Sequence, residues 1–138
     1  MKFDSYQKKS YIAVPPRETV QDEIANWAVG LSEEVGEVNN VIKHFLWNGE
    51  TIDKAKVAEE CGDVLWYLSA MCTVLGIDLN TVAKLNIAKL WNRYPTGEFD
   101  PGRSSMRKQL DKQFYQSEQY QKLLSKLEVK DGYNLSRQ

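Results

Sequence analysis

Apolar residues recur along this chain at helical spacing. Ala28, Leu31, Val35, Val38, Ile42 and Phe45 fall at intervals of three and four, which predicts one face of a long helix. Thr19 stands where an N-cap belongs, and Asp22 and Glu23 in the first turn suit the helix dipole. Trp47-Asn48-Gly49-Glu50 ends that pattern. A second stripe follows in Val57, Cys61, Val64, Leu68, Met71 and Leu75, with Thr51 or Asp53 to cap it and Gly76 at its C-terminus. Asp78 or Asn80 opens a third helix carrying Val82, Leu85, Ala88, Leu90 and Trp91, which stops before Pro95. The first dozen residues read as a short helix or arm stopped by Pro15-Pro16. Pro95 to Gly102 reads as a loop, and Ser104 to about Leu127 as a polar helix lying in solvent or on a partner. The last ten residues read as frayed. Period-two alternation with β-branched enrichment is missing, so the expected class is all-α.

Composition narrows the function. With 138 residues, 42% hydrophobic and 27% charged, the chain is expected to form a single soluble domain with a modest core. A net charge of -1 offers no basic field for a nucleic-acid polymer. No apolar run approaches the ~18 residues of a membrane helix. The N-terminus MKFDSYQKKSY lacks a secretion-signal core, so the expected location is cytoplasmic. Cys61 and Cys72 lie about 16 Å apart along one expected helix at ~1.5 Å per residue, too far to pair. They are expected to be reduced and half-buried.

The chemistry lies in two matched carboxylate pairs. Glu34 and Glu37 are three residues apart on the first long helix, and Glu60 and Asp63 repeat that spacing on the next. Each directly precedes a stripe residue: Val35, Val38, Cys61 and Val64. The four are therefore expected at the edge of the buried face, meeting where two antiparallel helices pack. Charges beside an apolar stripe are ordinarily solvated flanks, but two pairs with one spacing and one offset point to a shared site. Like charges that close repel unless protonated or neutralised, and hard oxygen ligands select Mg²⁺, Mn²⁺ or Ca²⁺. One His and two Cys make a zinc site a poor rival. Gly36 and Gly62 interrupt the pairs at a helix-propensity cost of roughly 1 kcal/mol each. That cost suggests something approaches the backbone there.

The segments Leu31-Ser-Glu-Glu-Val-Gly-Glu37, Glu59-Glu-Cys-Gly-Asp-Val-Leu-Trp-Tyr-Leu68 and Asn86-Ile-Ala-Lys-Leu-Trp-Asn-Arg-Tyr-Pro95 resemble the MazG-like all-α nucleoside triphosphate pyrophosphohydrolases. That superfamily also holds the dimeric dUTPases and dCTP pyrophosphatases. The resemblance covers roughly residues 20 to 100 and implies a MazG-like helical bundle over residues 1–102. Residues 103–138 would be a C-terminal helical extension of unassigned role.

It also implies cleavage of a ribo- or deoxyribonucleoside triphosphate between the α and β phosphates, giving a monophosphate and pyrophosphate. Nucleotide-pool cleansing, with a lean to deoxynucleotides, would be its purpose. Glu34, Glu37, Glu60 and Asp63 take the positions of the metal ligands for Mg²⁺, with Mn²⁺ as substitute. Glu33 is the candidate for water activation. Asn86, Lys89, Arg93 and Lys43 are phosphate-binding candidates. Tyr67, His44, Trp47, Asn26 and Trp27 are candidates for contacting the base or sugar. Family members pair, and Trp66, Leu90 and Trp91 are expected to stay uncovered on one chain, so a homodimer or homotetramer would complete the core.

Rival hydrolases lack their parts. The Nudix string is matched only by Glu33-Glu34-Val35-Gly36, with Val29-Gly30 where Arg-Glu belongs. His-Asp phosphohydrolases need several histidines, and His44 is the only one. The P-loop motif is absent. The non-enzymatic alternative is a helical oligomerisation or interaction module whose carboxylates are solvated flanks.

Overall fold

The computed structural model describes residues 1–12, 14 and 17–127. Pro15-Pro16 and the final ten residues lie outside the described residues. Seven helices form among the described residues and no strand: α1 (Phe3–Ser10), α2 (Val20–Trp47), α3 (Lys54–Val74), α4 (Leu79–Arg93), α5 (Pro101–Ser105), α6 (Arg107–Tyr115) and α7 (Glu118–Leu124). The fold is all-α. No single described helix is long and apolar enough to cross a membrane.

The helix ends follow local chemistry. The Thr19, Asp53 and Asp78 side chains accept backbone N–H groups at the starts of α2, α3 and α4. Gly49 and Gly76 take the left-handed conformation, φ 70° and 68°, just beyond the ends of α2 and α3.

α2 and α3 form the central hairpin. Trp27 near the start of α2 meets Trp66 and Tyr67 late in α3, with ring centroids 5.5 and 5.7 Å away. Seven residues on, Glu34 meets Glu60 and Asp63. Contacts that run forward on one helix and backward on the other define antiparallel packing. The core is Trp27, Ala70 and Val74, flanked by Tyr11, Val14, Val20, Ile24, Trp66, Tyr67 and Met71. The buried Trp27 Nε1 has no hydrogen-bond partner among the described residues.

The inward face differs from the apolar stripes. On α2, Ala28, Val35 and Phe45 are exposed, whereas Trp27 and Gly30 are buried. On α3, Cys61 and Leu75 are exposed, whereas Glu60, Ser69, Ala70, Cys72 and Val74 are buried. The stripes flank the packed face rather than centre on it: Leu31, Val38, Ile42, Val57, Val64, Leu68 and Met71 are half-buried, while the most buried positions include glycine, serine and a carboxylate, which hydrophobicity does not register. Both cysteines are free thiols, but one is exposed and one buried, not both half-buried.

α1 is fastened rather than loose. Gln7 donates to Thr73 Oγ1 (3.1 Å) and to the Ile77 carbonyl (2.8 Å), and its Oε1 accepts from Leu79 N (2.9 Å). One side chain thus ties α1 to the turn between α3 and α4. Trp66 Nε1 donates to the Ser10 carbonyl at 2.8 Å. Trp66 is therefore half-buried by α1 and Trp27, not uncovered; Leu90 and Trp91 do remain exposed.

The C-terminal region also departs from expectation. The 95–102 loop ends early, because Asp100 caps α5 with Pro101 in its first turn. The expected single helix is three short ones broken at Met106 and at Gln116–Ser117, folded back onto α4 through Leu110 and Phe114. Arg103 donates to the carbonyls of Asn92 (2.8 Å) and Arg93, satisfying the open C-terminal end of α4. Asn92 Nδ2 donates to the Leu110 carbonyl at 3.0 Å.

Gly30 is the glycine whose missing side chain the hairpin uses: a Cβ there would overlap the Tyr67 ring. Gly36 and Gly62 are different, since a Cβ at either meets nothing within 4 Å. Nothing in the described chain approaches them, so their cost is not explained by packing within one chain. Gly30→Ala should destabilise the isolated chain by about 1–3 kcal/mol through overpacking. Gly36→Ala and Gly62→Ala should each stabilise it by up to about 1 kcal/mol. Urea unfolding at low protein concentration measures all three.

Candidate functional site

Three carboxylates converge between the paired helices. Glu34, Glu60 and Asp63 each present an oxygen within 4.8 Å of the other two. Glu60 is 5% exposed, and Glu34 and Asp63 are half-buried. Glu60 thus lies inside the helix interface, while Glu34 and Asp63 lie toward its solvent edge. Glu37, one turn beyond Glu34, is exposed and outside this close group.

The electrostatics record the crowding. Burial first, then Asp63, Glu60, Glu33 and Glu37, raises the Glu34 carboxyl above its ordinary value. Burial, then Glu34, Glu33 and Asp63, raises the Tyr67 phenol. Burial, then Asp63, does the same to Tyr6 on α1. Lys56 answers the cluster from one turn earlier on α3. Its Nζ lies 2.8 Å from Glu60 Oε1 and 3.1 Å from Glu59 Oε2. Hydrogen bonds to Glu60 and then Glu59 raise its ammonium well above the usual lysine value.

A group of oxygen ligands this close suits a hard divalent cation, which would replace mutual repulsion by attraction. Beside it opens a cleft of about 680 Å³ lined by Arg17, Asp22, Asn26, Gly30, Glu33 and Tyr67 among others. Arg17 Nη2 donates to Asn26 Oδ1 at 2.7 Å. Tyr67 links cleft and carboxylates, because its ring lies on the α2 backbone at Gly30.

The remaining sequence candidates are placed elsewhere. Trp27 is core. His44 Nδ1 is 2.8 Å from Glu50 Oε1 and 3.0 Å from Asn48 Nδ2, near the end of α2. Trp47 is 74% exposed, and Lys43 and Asn86 are exposed. Arg93 donates through Nε and Nη2 to both oxygens of Asp111 on α6, the first at 2.6 Å. That pairing raises the Arg93 value and lowers that of Asp111, with Lys89 and Arg107 adding to the latter. Within one chain, then, Lys89 and Arg93 face α6 rather than the carboxylates of α2 and α3. Sequence reasoning missed Arg17, Gly30 and Lys56. Lys56 carried a signal, a cation four residues before Glu60; Arg17 and Gly30 matter only through contacts across the fold.

Residues 23–97 match the MazG nucleotide pyrophosphohydrolase domain family, and the chain belongs to that family. The match contains both carboxylate pairs and stops before α5. A relative from Mycobacterium phage L5, the Gene 37 protein, is 32% identical over 73 residues, covering 50% of this chain and 64% of that protein. The chain thus spans somewhat under two thirds of the relative's length. No solved structure matches the chain.

Because its folded value is raised, Glu34 favours folding fully only below its ordinary value, and that contribution is lost as pH rises through the raised one. Above it, the ionised cluster is a liability that a divalent cation removes. The thermal shift produced by Mg²⁺ should therefore be larger at pH 8 than at pH 5. Glu34→Gln should raise the metal-free melting temperature at pH 8 and shrink the Mg²⁺ shift, both read by scanning fluorimetry.

Proposed function

We propose that this protein is a metal-dependent nucleoside triphosphate pyrophosphohydrolase that releases a nucleoside monophosphate and pyrophosphate. Mg²⁺ is the working ion, Mn²⁺ substitutes, and deoxynucleotides are the preferred substrates. The observation that carries this reading is the convergence of Glu34, Glu60 and Asp63 within 4.8 Å, beside a cleft large enough for a nucleoside. Family membership supports the reaction class.

Glu34, Glu60 and Asp63 would hold the ion, joined by Glu37 from the next turn of α2. The bound ion supplies charge neutralisation at the phosphates and a more acidic water. Glu33, on the cleft side of α2, accepts the proton of the attacking water. The water oxygen bonds to the α-phosphorus as the bond from that phosphorus to the α–β bridging oxygen breaks. The electron pair leaves with pyrophosphate. Tyr67 packs against the sugar, and Asn26, steadied by Arg17, donates to an acceptor on the base.

Asn86, Lys89 and Arg93 are the proposed phosphate contacts. Lys89 and Arg93 lie against α6 of their own chain, away from its carboxylates, so the site they would serve is that of a second copy, with Arg93 giving up Asp111 to reach it. The exposed Ile87, Leu90 and Trp91 on the same helix give that copy an apolar face to cover. A homodimer or homotetramer is therefore the proposed working form.

A panel of NTPs and dNTPs incubated with Mg²⁺ should yield pyrophosphate, not single phosphate. Glu37→Gln and Asp63→Asn should each lower kcat/KM by at least about 100-fold while circular dichroism stays unchanged. Full turnover in both variants would sink the metal-site assignment. No turnover of any nucleotide by the wild-type protein would favour a helical interaction module.

A further inference from the structure

Glu60 is the most deeply placed carboxylate of the cluster, and Lys56 is the cation that reaches it. The Glu60 side chain is 6% exposed and the Lys56 side chain 45%, so the lysine enters from the solvent edge with its ammonium 2.8 Å from Glu60 Oε1. Glu59, exposed at the same edge, holds the ammonium from the other side at 3.1 Å. A carboxylate withdrawn from water beside two others needs a positive partner. Lysine suits an exchangeable one: a compact charge on a flexible stem, without the rigid two-point fork that would lock an arginine in place.

We propose that Lys56 is the resident counter-cation of Glu60 in the metal-free protein and becomes a phosphate-binding residue once a divalent ion takes Glu60. This rests on reading the carboxylate cluster as the metal site of a triphosphate hydrolase. A divalent ion on Glu60 repels an ammonium on the same carboxylate. Lys56 would then be released, but its backbone lies one helical turn from Glu60, so the ammonium would stay close to the cluster. A triphosphate bound at the cluster would then offer the freed N–H groups a new acceptor in its phosphate oxygens. One side chain would thus weaken the binding of free metal and strengthen the binding of metal with nucleotide. The enzyme would load the two together.

The test compares wild type, Lys56→Met and Glu60→Gln by calorimetric titration with Mn²⁺ alone, by melting temperature without metal, and by steady-state kinetics with Mg²⁺ and the best-turned-over nucleotide. Lys56→Met preserves the length of the stem, and Lys56→Gln is a second variant should the first misfold. Removing the competing charge should tighten Mn²⁺ binding by about 10-fold. It should also lower the metal-free melting temperature, as Glu60 loses its partner, and raise KM several-fold with little change in kcat. Glu60→Gln should abolish the Mn²⁺ heat. Mn²⁺ affinity unchanged or weaker in the lysine variants, with wild type binding normally, overturns the role of Lys56 and leaves the metal site standing. An absence of Mn²⁺ binding in wild type and the lysine variants alike overturns the metal site and the proposal with it.

Discussion

Glu34, Glu60 and Asp63 hold oxygen atoms within 4.8 Å of one another between two helices, and that mutual repulsion must be met by something. In the protein by itself it is met in two ways: Glu34 is shifted toward its protonated form, and Lys56 is drawn onto Glu60. Neither removes the conflict, because half-buried carboxylates still face one another across the hairpin. A hairpin chosen for stability alone would place apolar side chains there. The acids kept at this packed face are a group that could hold a cation.

The rest of the molecule keeps those helices in register. Trp27, Trp66 and Tyr67 pack edge to face at one end of the interface, a hydrophobic anchor that lets the other end carry charge. Gly30 lets the Tyr67 ring lie on the α2 backbone, which sets the ring between the cleft and the carboxylates. Gln7 binds α1 to the α3–α4 turn through both ends of its amide, fixing the far end of α3. The same contacts that stabilise the fold therefore aim Tyr67 and limit drift between Glu34 and Asp63.

Helices α5 to α7, beyond the family match, pack back onto α4. α5 to α7 finish α4, with Arg103 on its terminal carbonyls and Asp111 on Arg93. A cation that the motif order would assign to phosphate thus has a carboxylate partner in its own chain. Its charge is balanced in the isolated protein, and any anion that recruits it competes with Asp111.

The three long helices, their caps and their stops were legible in the sequence because each follows from local chemistry. Thr19, Asp53 and Asp78 accept specific backbone N–H groups, and Gly49 and Gly76 adopt a left-handed φ that other residues resist. The carboxylate pairs were legible too, since a three-residue spacing puts two side chains on one helical face whatever surrounds them. Which face packs was not legible. The stripe through Val35 and Cys61 is the more apolar, yet the buried line runs through Trp27, Gly30 and Glu60, where packing geometry and site chemistry outweigh hydrophobicity. The break-up of residues 104–127 and the seat of Arg93 on Asp111 were also settled only by the tertiary structure. Periodicity reports what one helix prefers, whereas burial and ion pairing depend on what a distant part of the chain brings against it.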